Sequence, residues 1–84
     1  MKAVVFDINW RRGMVAVLTE NGDFSIFEML GDDNFEKGDE VFWKNDTALG
    51  SEKIRNATKG ETMEVFFQNH WVPKNQLRQQ LLYE

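Results

Sequence analysis

The chain has 84 residues, enough for one domain but not for two, because compact domains run from about 50 to 200 residues. It contains no cysteine and a single histidine, which excludes a disulfide framework, a thiolate zinc site and a cluster of imidazoles. A net charge of −4 argues against tight, purely electrostatic binding to duplex nucleic acid, whose non-specific affinity comes from Lys and Arg.

The first part of the chain predicts an antiparallel meander of three strands. Apolar side chains alternate with others over about residues 2–10, which is the period-two pattern of a half-buried strand. Gly13 interrupts this pattern, and a second β-rich run follows at residues 14–19. Asn21-Gly22 is the strongest short signal for a hairpin and leads to a third strand at residues 24–29.

Two further strands are predicted in the rest of the chain. A polar connection, from which Phe35 is expected to point inward, leads to a fourth strand at residues 39–44. Residues 45–60 have no sustained period of either kind, which predicts a long loop. A dense run of β-formers at residues 62–69 predicts the fifth strand.

The last segment changes from strand to helical spacing. Three leucines form one apolar stripe, which predicts a short helix over about residues 74–83. They are Leu77, Leu81 and Leu82. Five short strands suit a closed barrel, because closure removes strand edges and supplies a core. We therefore predict a single all-β domain over residues 1–84, a small five-stranded antiparallel barrel over about residues 2–72 with a short C-terminal α-helix.

Several short motifs follow one another in a definite order between residues 3 and 43. They are Val5, Ile8-Asn9, Arg12-Gly13, Asn21-Gly22-Asp23, Phe24-Ser25-Ile26-Phe27 and Gly38-Asp39-Glu40-Val41-Phe42-Trp43. This order resembles the cold-shock domain, and the resemblance implies an oligonucleotide/oligosaccharide-binding (OB) barrel. That family stacks bases on two ring-bearing motifs, whose matching positions here hold Met14, Ala16, Ser25 and Phe27. The resemblance therefore implies the fold better than the function.

Another set of rings alternates out of phase with the more obvious core residues. These rings are Trp10, Phe27, Phe42, Phe66 and Trp71, and the cations that could flank them are Arg11, Arg12, Lys44, Lys53, Arg55 and Lys59. A barrel face with rings and a basic fringe is typical of sequence-tolerant single-strand binding. Alternatively, both faces of these strands are buried, one in the barrel and the other beneath the helix and the long loop. The first hypothesis is weak binding of single-stranded RNA or DNA through Trp10, Arg11, Arg12, Phe27, Lys53, Arg55 and Lys59.

A protein-interaction module is the alternative function. The densest polar-aromatic cluster is Gln68-Asn69-His70-Trp71, whose amide groups can bind the edges of peptides or bases. An amide-rich strand end also commonly satisfies its own backbone. The stripe of Leu77, Leu81 and Leu82 is either an intramolecular cover or a surface for a protein partner or for self-association.

Catalysis has little support in the sequence. The acidic pairs Asp32-Asp33 and Asp39-Glu40 are typical of a solvated loop, and the spacing of a calcium loop is absent. Ser25 and Ser51 have no His or Cys nearby in the sequence and no nucleophile-elbow glycines. We therefore predict a non-enzymatic protein without a metal or cofactor.

The expected compartment is the cytoplasm. No stretch approaches the roughly eighteen apolar residues of a membrane helix, and the first residues lack the apolar core and cleavage pattern of a signal peptide. We therefore expect a cytoplasmic protein that does not contact a membrane.

Overall fold

The alternating segments of the sequence form strands that close into a barrel in the computed structural model, which describes residues 1–31 and 34–83. The elements are β1 (Lys2–Asn9), β2 (Met14–Thr19), β3 (Phe24–Met29), β4 (Glu40–Phe42), β5 (Gly50–Asn56), β6 (Glu61–Val72), a 3₁₀ turn (Lys74–Gln76) and α1 (Leu77–Gln80). The order around the barrel is β1-β2-β3-β6-β5-β4, and every neighbouring pair is antiparallel. The predicted all-β barrel with a short C-terminal helix is confirmed.

The described barrel has six strands, not the five that were predicted. The additional strand is β5 (Gly50–Asn56), which lies in the segment predicted as a long loop, residues 45–60. Neighbouring antiparallel strands alternate in direction, so a wholly antiparallel barrel closes only with an even number of strands. β5 makes that closure possible, because it pairs with β6 along its whole length and with β4 at Arg55 and Asn56.

β4 and β5 diverge after this short pairing. β4 ends at Phe42, whereas residues 50–54 of β5 continue along β6. Within residues 1–31 and 34–83, no strand pairs with the other edge of residues 50–54. The backbone N–H of Lys53 donates instead to the neighbouring Glu52 carboxylate at 3.0 Å.

The barrel interior holds the main apolar core. Its large, fully buried side chains include Val15, Val17, Phe27, Phe35, Ile54, Val65 and Phe67. The ring of Phe35, which the sequence predicted to point inward, is fully buried and lies 5.2 Å from that of Phe27. Phe35 thereby anchors the connection between β3 and β4 to the core.

A second apolar cluster covers the outer face of β2 and β3. It comprises Met14, Ala16, Phe24, Ile26, Val72, Leu77 and Leu81. The C-terminal segment is fixed over this face by two polar contacts at its end. The Asn9 side chain donates to the Leu81 carbonyl at 2.7 Å, and the Tyr83 hydroxyl donates to the Ile8 carbonyl at 3.0 Å. β2 and β3 therefore bury both of their faces over most of their length, although Leu18 is exposed and Glu28 and Met29 are half-buried.

The helix is shorter than the predicted span of residues 74–83. A 3₁₀ turn at Lys74–Gln76 precedes the four helical residues of α1, Leu77–Gln80. Helices of this length are unstable alone in water, so this one depends on its docked leucines. No helix of the described ranges is long and apolar enough to cross a membrane.

β6 changes face at Trp71, which adopts a φ of 54°. In a regular strand, His70 and Val72 would lie on the same face. Here the His70 ring stacks 5.1 Å from that of Phe67 in the interior, while Val72 joins the outer cluster. A register shift between Phe67 and Asn69 and the left-handed residue at Trp71 together place His70 in the interior and Val72 in the outer cluster, so β6 runs past the predicted end at residue 69 and contributes to both cores.

Candidate functional site

The outer face of β4 carries an exposed phenylalanine with a cation on each neighbouring strand. Alternation along β4 buries Val41 in the barrel and turns Phe42 outward. The strand registers place Phe42 directly opposite Lys2 of β1 and Arg55 of β5. Directly opposite side chains have Cβ atoms about 4.5–5.5 Å apart, so the ring has a basic residue on either side.

A groove of about 520 Å³ opens beside this ring, where β4 and β5 diverge. It is lined by Phe42, Trp43, Lys44, Glu52, Lys53, Arg55 and Thr62. Three cations against one carboxylate make the lining positive, although the whole chain carries −4. We call the set Lys2, Phe42, Lys44, Lys53 and Arg55 the cationic groove.

The cations of the groove form no ion pair in the described part of the chain, although Glu64 of β6 lies opposite Lys53 in the strand register. Within residues 1–31 and 34–83, none of Lys44, Lys53 and Arg55 forms an ion pair. The Arg55 guanidinium donates to the Thr62 hydroxyl at 3.4 Å. The Phe42 ring is 38% exposed, and no ring or cation from the described part of the chain stacks on it. A planar group could therefore stack on the ring while anionic groups contact the cations.

The residues predicted to contact nucleic acid are divided between two surfaces. Lys53 and Arg55 lie in the cationic groove. Trp10, Arg11 and Arg12 are exposed at the turn between β1 and β2, with Trp10 60% exposed. The two arginines border a separate cavity of about 280 Å³, beside the end of the C-terminal segment. The predicted set is thus exposed in large part but does not form one cluster.

Two members of that set differ from the others. The prediction is wrong for Phe27, which is not available to a ligand, and Lys59 already has acidic partners. Phe27 is fully buried in the barrel, where its ring lies 5.4 Å from that of Phe67. The Lys59 ammonium donates to Glu36 at 2.9 Å and lies 3.9 Å from Asp39. The hydrogen bond to Glu36 and the charge of Asp39 raise the pKa of Lys59 above its ordinary 10.5. This cation is therefore held by acidic neighbours.

One cation of the groove was missed in the sequence. Lys2 lies far from the other groove residues along the chain, and only the pairing of β1 with β4 brings it opposite Phe42. Phe42 and Lys44 were considered as a ring and a flanking cation but not assigned to the site. Alternation around Val41 and Trp43 was the available signal, since it predicts that Phe42 faces outward.

The residues predicted to contact a protein partner are divided between exposed and buried positions. Gln68, Asn69 and Trp71 are exposed at the end of β6, whereas the side chain of His70 lies inside the barrel. Leu77 and Leu81 are buried against the outer face of the barrel, and Leu82 is exposed. The leucine stripe is therefore an intramolecular cover. The prediction that Leu77 and Leu81 contact a protein partner is wrong, because both side chains are buried.

Ser25 and His70 meet inside the barrel although they are distant in sequence. The Ser25 hydroxyl lies 2.8 Å from His70 Nδ1, and His70 Nε2 is hydrogen-bonded to the Ala48 carbonyl. Because a carbonyl only accepts, Nε2 carries a proton, and in the neutral imidazole Nδ1 then accepts from the serine. Both side chains are buried and both imidazole nitrogens are engaged, so this pair joins strands in the core and does not present a nucleophile to solvent.

Of the two acidic pairs, Asp39-Glu40 lies within the residues that the structure describes, and Asp32-Asp33 lies outside them. Asp39 is buried, and its carboxylate accepts hydrogen bonds from the Asn56 amide at 2.8 Å and from the Glu36 backbone at 2.9 Å. Asp39 therefore joins the connection before β4 to the end of β5, which is a structural role.

The chain was compared with known proteins at the level of families, sequences and structures. No family model matches. No curated protein and no solved structure matches either. The cold-shock resemblance therefore stays a prediction, and the geometry of the groove is the basis for assigning a function.

Proposed function

We propose that this protein is a non-enzymatic cytoplasmic module that binds single-stranded nucleic acid weakly, and with little sequence preference, through the cationic groove. The observation that supports this function is the exposed ring of Phe42 between Lys2 and Arg55. Stacking of a base on an aromatic ring contributes about 1–3 kcal/mol in single-strand binders, and basic side chains contact the backbone. A duplex keeps its bases stacked on each other, so the ring favours single strands.

The charges of the groove set the expected strength of binding. Each phosphate contact to a single strand contributes a slope of about −0.7 to the dependence of log K on log salt concentration, so four cations give about −3. The net charge of −4 opposes the approach of a polyanion. We therefore expect a dissociation constant in the micromolar range or weaker that rises steeply with salt.

The test is a titration of fluorescein-labelled oligothymidylate, about twelve nucleotides long, followed by fluorescence anisotropy at several salt concentrations. Phe42→Leu keeps an apolar side chain but removes the ring, and the double variant Lys53→Gln/Arg55→Gln removes two cations. Phe42→Leu should weaken binding at least about fivefold, because the loss of one stacked base corresponds to about 1–3 kcal/mol. The double variant should weaken binding by at least as much at low salt, because it removes two phosphate contacts. Lys37→Gln is the matched control, since Lys37 is exposed on another loop and pairs with Asp7 at 3.3 Å.

Two results would contradict the proposal. One is the absence of any anisotropy change at low salt with the wild-type chain. The other is binding that Phe42→Leu and the double variant weaken no more than Lys37→Gln does. Either result would show that the groove does not hold a single strand.

The exposed Trp71 favours a second candidate function, a protein-interaction surface at the end of β6. Its side chain is 66% exposed, and its backbone adopts a φ of 54° that is disfavoured for a bulky residue. Exposed aromatic residues are enriched at interfaces. Self-association measured by sedimentation velocity should then be lost in Trp71→Ser and retained in Trp10→Ser. Equal effects of both substitutions would contradict this candidate.

A further inference from the structure

Two exposed rings lie outside the cationic groove and have no evident structural task. Phe66 of β6 is 41% exposed, and its ring lies 3.8 Å from the position that a Cβ of Gly50 would occupy. Trp10 is 60% exposed at the turn between β1 and β2. In the described ranges, no other ring and no cation stacks on either side chain. Phe6 differs, because its ring packs 5.0 Å from that of Phe24 and beneath Lys74.

The strand registers place Phe66 on a diagonal that begins at Phe42. Phe42 lies opposite Arg55, and Arg55 lies opposite Thr62 of β6. Phe66 is four residues further along β6, so it lies about 13 Å along the strands and about 10 Å across them from Phe42. Measured along the sheet, the two positions are therefore about 16 Å apart on the same outer face.

From Phe66 the path turns straight across the strands towards Trp10. Phe66 is opposite Glu28 of β3, and Glu28 is opposite Met14 of β2, which directly follows the β1–β2 turn. Two strand spacings and the turn bring the path, measured along the backbone of the barrel, to about 25–30 Å. We call Phe42, Phe66 and Trp10 the aromatic diagonal.

Polar groups between these rings have both favourable and unfavourable charges. Lys53 lies on β5 between the positions opposite Phe42 and Phe66, and Arg12 lies at the far end. Two carboxylates flank Phe66. Glu64 accepts a hydrogen bond from the Ser51 hydroxyl at 2.9 Å, and Glu28 accepts from the Gln68 amide at 3.4 Å. These carboxylates oppose phosphate groups, so the diagonal is suited to weak binding through stacking.

We propose that the single strand runs along the aromatic diagonal, from the cationic groove past Phe66 to the turn that carries Trp10, Arg11 and Arg12. This inference rests on the proposed function and specifies the length and course of its ligand. A path of about 25–30 Å accommodates roughly four to six nucleotides, near the lower end of known single-strand sites. A trinucleotide bound at Phe42 reaches Phe66 but not Trp10.

The experiment measures affinity against length, with unlabelled oligothymidylates of about three to nine nucleotides. It uses the Trp71→Phe variant, in which Trp10 is the one exposed tryptophan because Trp43 is buried. We expect affinity to rise at least about tenfold between three and six nucleotides and then to level off. Quenching of Trp10 fluorescence should accompany binding of the longer oligonucleotides only.

Substitutions along the path complete the test. Phe66→Leu should lower the affinity for a hexanucleotide at least about fivefold, and Glu28→Gln should raise it. Phe6→Leu is the matched control, because this exposed ring has its own packing partners and lies off the diagonal. A hexanucleotide that binds no better than a trinucleotide, or that leaves Trp10 unquenched, would overturn the diagonal while the groove still binds. Absence of binding at every length would overturn the proposed function itself.

Discussion

The His70 imidazole accepts a hydrogen bond from the Ser25 hydroxyl at 2.8 Å in the buried interior of the barrel. The same ring stacks against Phe67 and is bonded through Nε2 to the Ala48 carbonyl. This one side chain therefore connects β3, β6 and the segment before β5. The arrangement satisfies every polar atom of the imidazole only as long as all three segments keep their positions.

Ser25→Ala tests this polar connection. The substitution removes the donor and leaves Nδ1 of His70 buried without a partner, which costs about 1–3 kcal/mol. We expect that decrease in the free energy of unfolding, measured with urea. Ser51→Ala is the control, because the Ser51 hydroxyl is exposed and bonded to Glu64, and its loss should cost less than about 0.5 kcal/mol. Equal losses would mean that the interior hydrogen bond does not stabilise the barrel.

The docked leucines provide a second prediction. Leu81 is fully buried and Leu82 is 48% exposed, although they are adjacent. Leu81→Ala should lower the free energy of unfolding by about 2–5 kcal/mol, because it leaves a cavity over the outer face of β2 and β3. Leu82→Ala should change it by less than about 0.5 kcal/mol. A small effect of Leu81→Ala in a urea titration would show that the cover contributes little to folding.

The backbone of Trp71 provides a third prediction. Its φ of 54° is costly for any residue with a Cβ and most costly for a β-branched one. Trp71→Gly should therefore be more stable than Trp71→Val by at least about 1 kcal/mol in thermal unfolding. The reverse order would indicate that the tryptophan side chain, not the backbone conformation, determines stability at this position.

Alkaline pH should destabilise the fold through two groups. The hydrogen bond to Glu36 raises the pKa of Lys59, so its stabilising contribution is complete below its ordinary pKa of 10.5 and is lost as pH rises through the folded value. Burial, with the charge of Asp7, raises the pKa of Tyr83 above its ordinary 10.0. As pH rises past that value, the tyrosine ionises more readily in the unfolded chain than in the folded one, which favours unfolding. Both effects lower stability as pH rises past about 10.

Urea midpoints between about pH 8 and pH 11 measure this alkaline loss. Lys59→Met and Tyr83→Phe should each reduce the decrease of the midpoint across that range. Lys44→Met is the control, because Lys44 is an exposed lysine that forms no ion pair within residues 1–31 and 34–83. A decrease of the same size in all three variants would assign the alkaline loss to other groups.

The strands with regular alternation were predicted closely, whereas β5 was not. Its only large apolar side chain is Ile54, and its other buried residue, Asn56, is polar. The sequence therefore offers no hydrophobic period, although the exposure of the side chains does alternate along the strand. Asn56 is buried because its amide donates to Asp39, and that partner becomes apparent only once the barrel is closed.

The error at Phe27 has a different physical origin. In β3, Ile26 and Phe27 are both fully buried, one beneath the C-terminal cover and the other in the barrel. When both faces of a strand are apolar, alternation does not indicate which face is inside. The prediction placed Phe27 outward, although the fold turns Ser25 and Phe27 inward together. Trp10, by contrast, lies beyond the end of β1, where neither core reaches.

The open edge of β5 at residues 50–54 is a site at which two copies of the protein could aggregate. The cations that are proposed to bind phosphate also protect this edge from aggregation. An open strand edge is a template for pairing with another chain, and charged side chains, lysine above all, discourage such pairing. In a symmetric contact between two copies, Lys53 would meet the same charge on the second copy, and Arg55 would add positive charge at the end of the open edge. Neutralising these residues removes that repulsion as well as the phosphate contacts. The Lys53→Gln/Arg55→Gln variant should therefore precipitate at lower concentration than the wild-type chain.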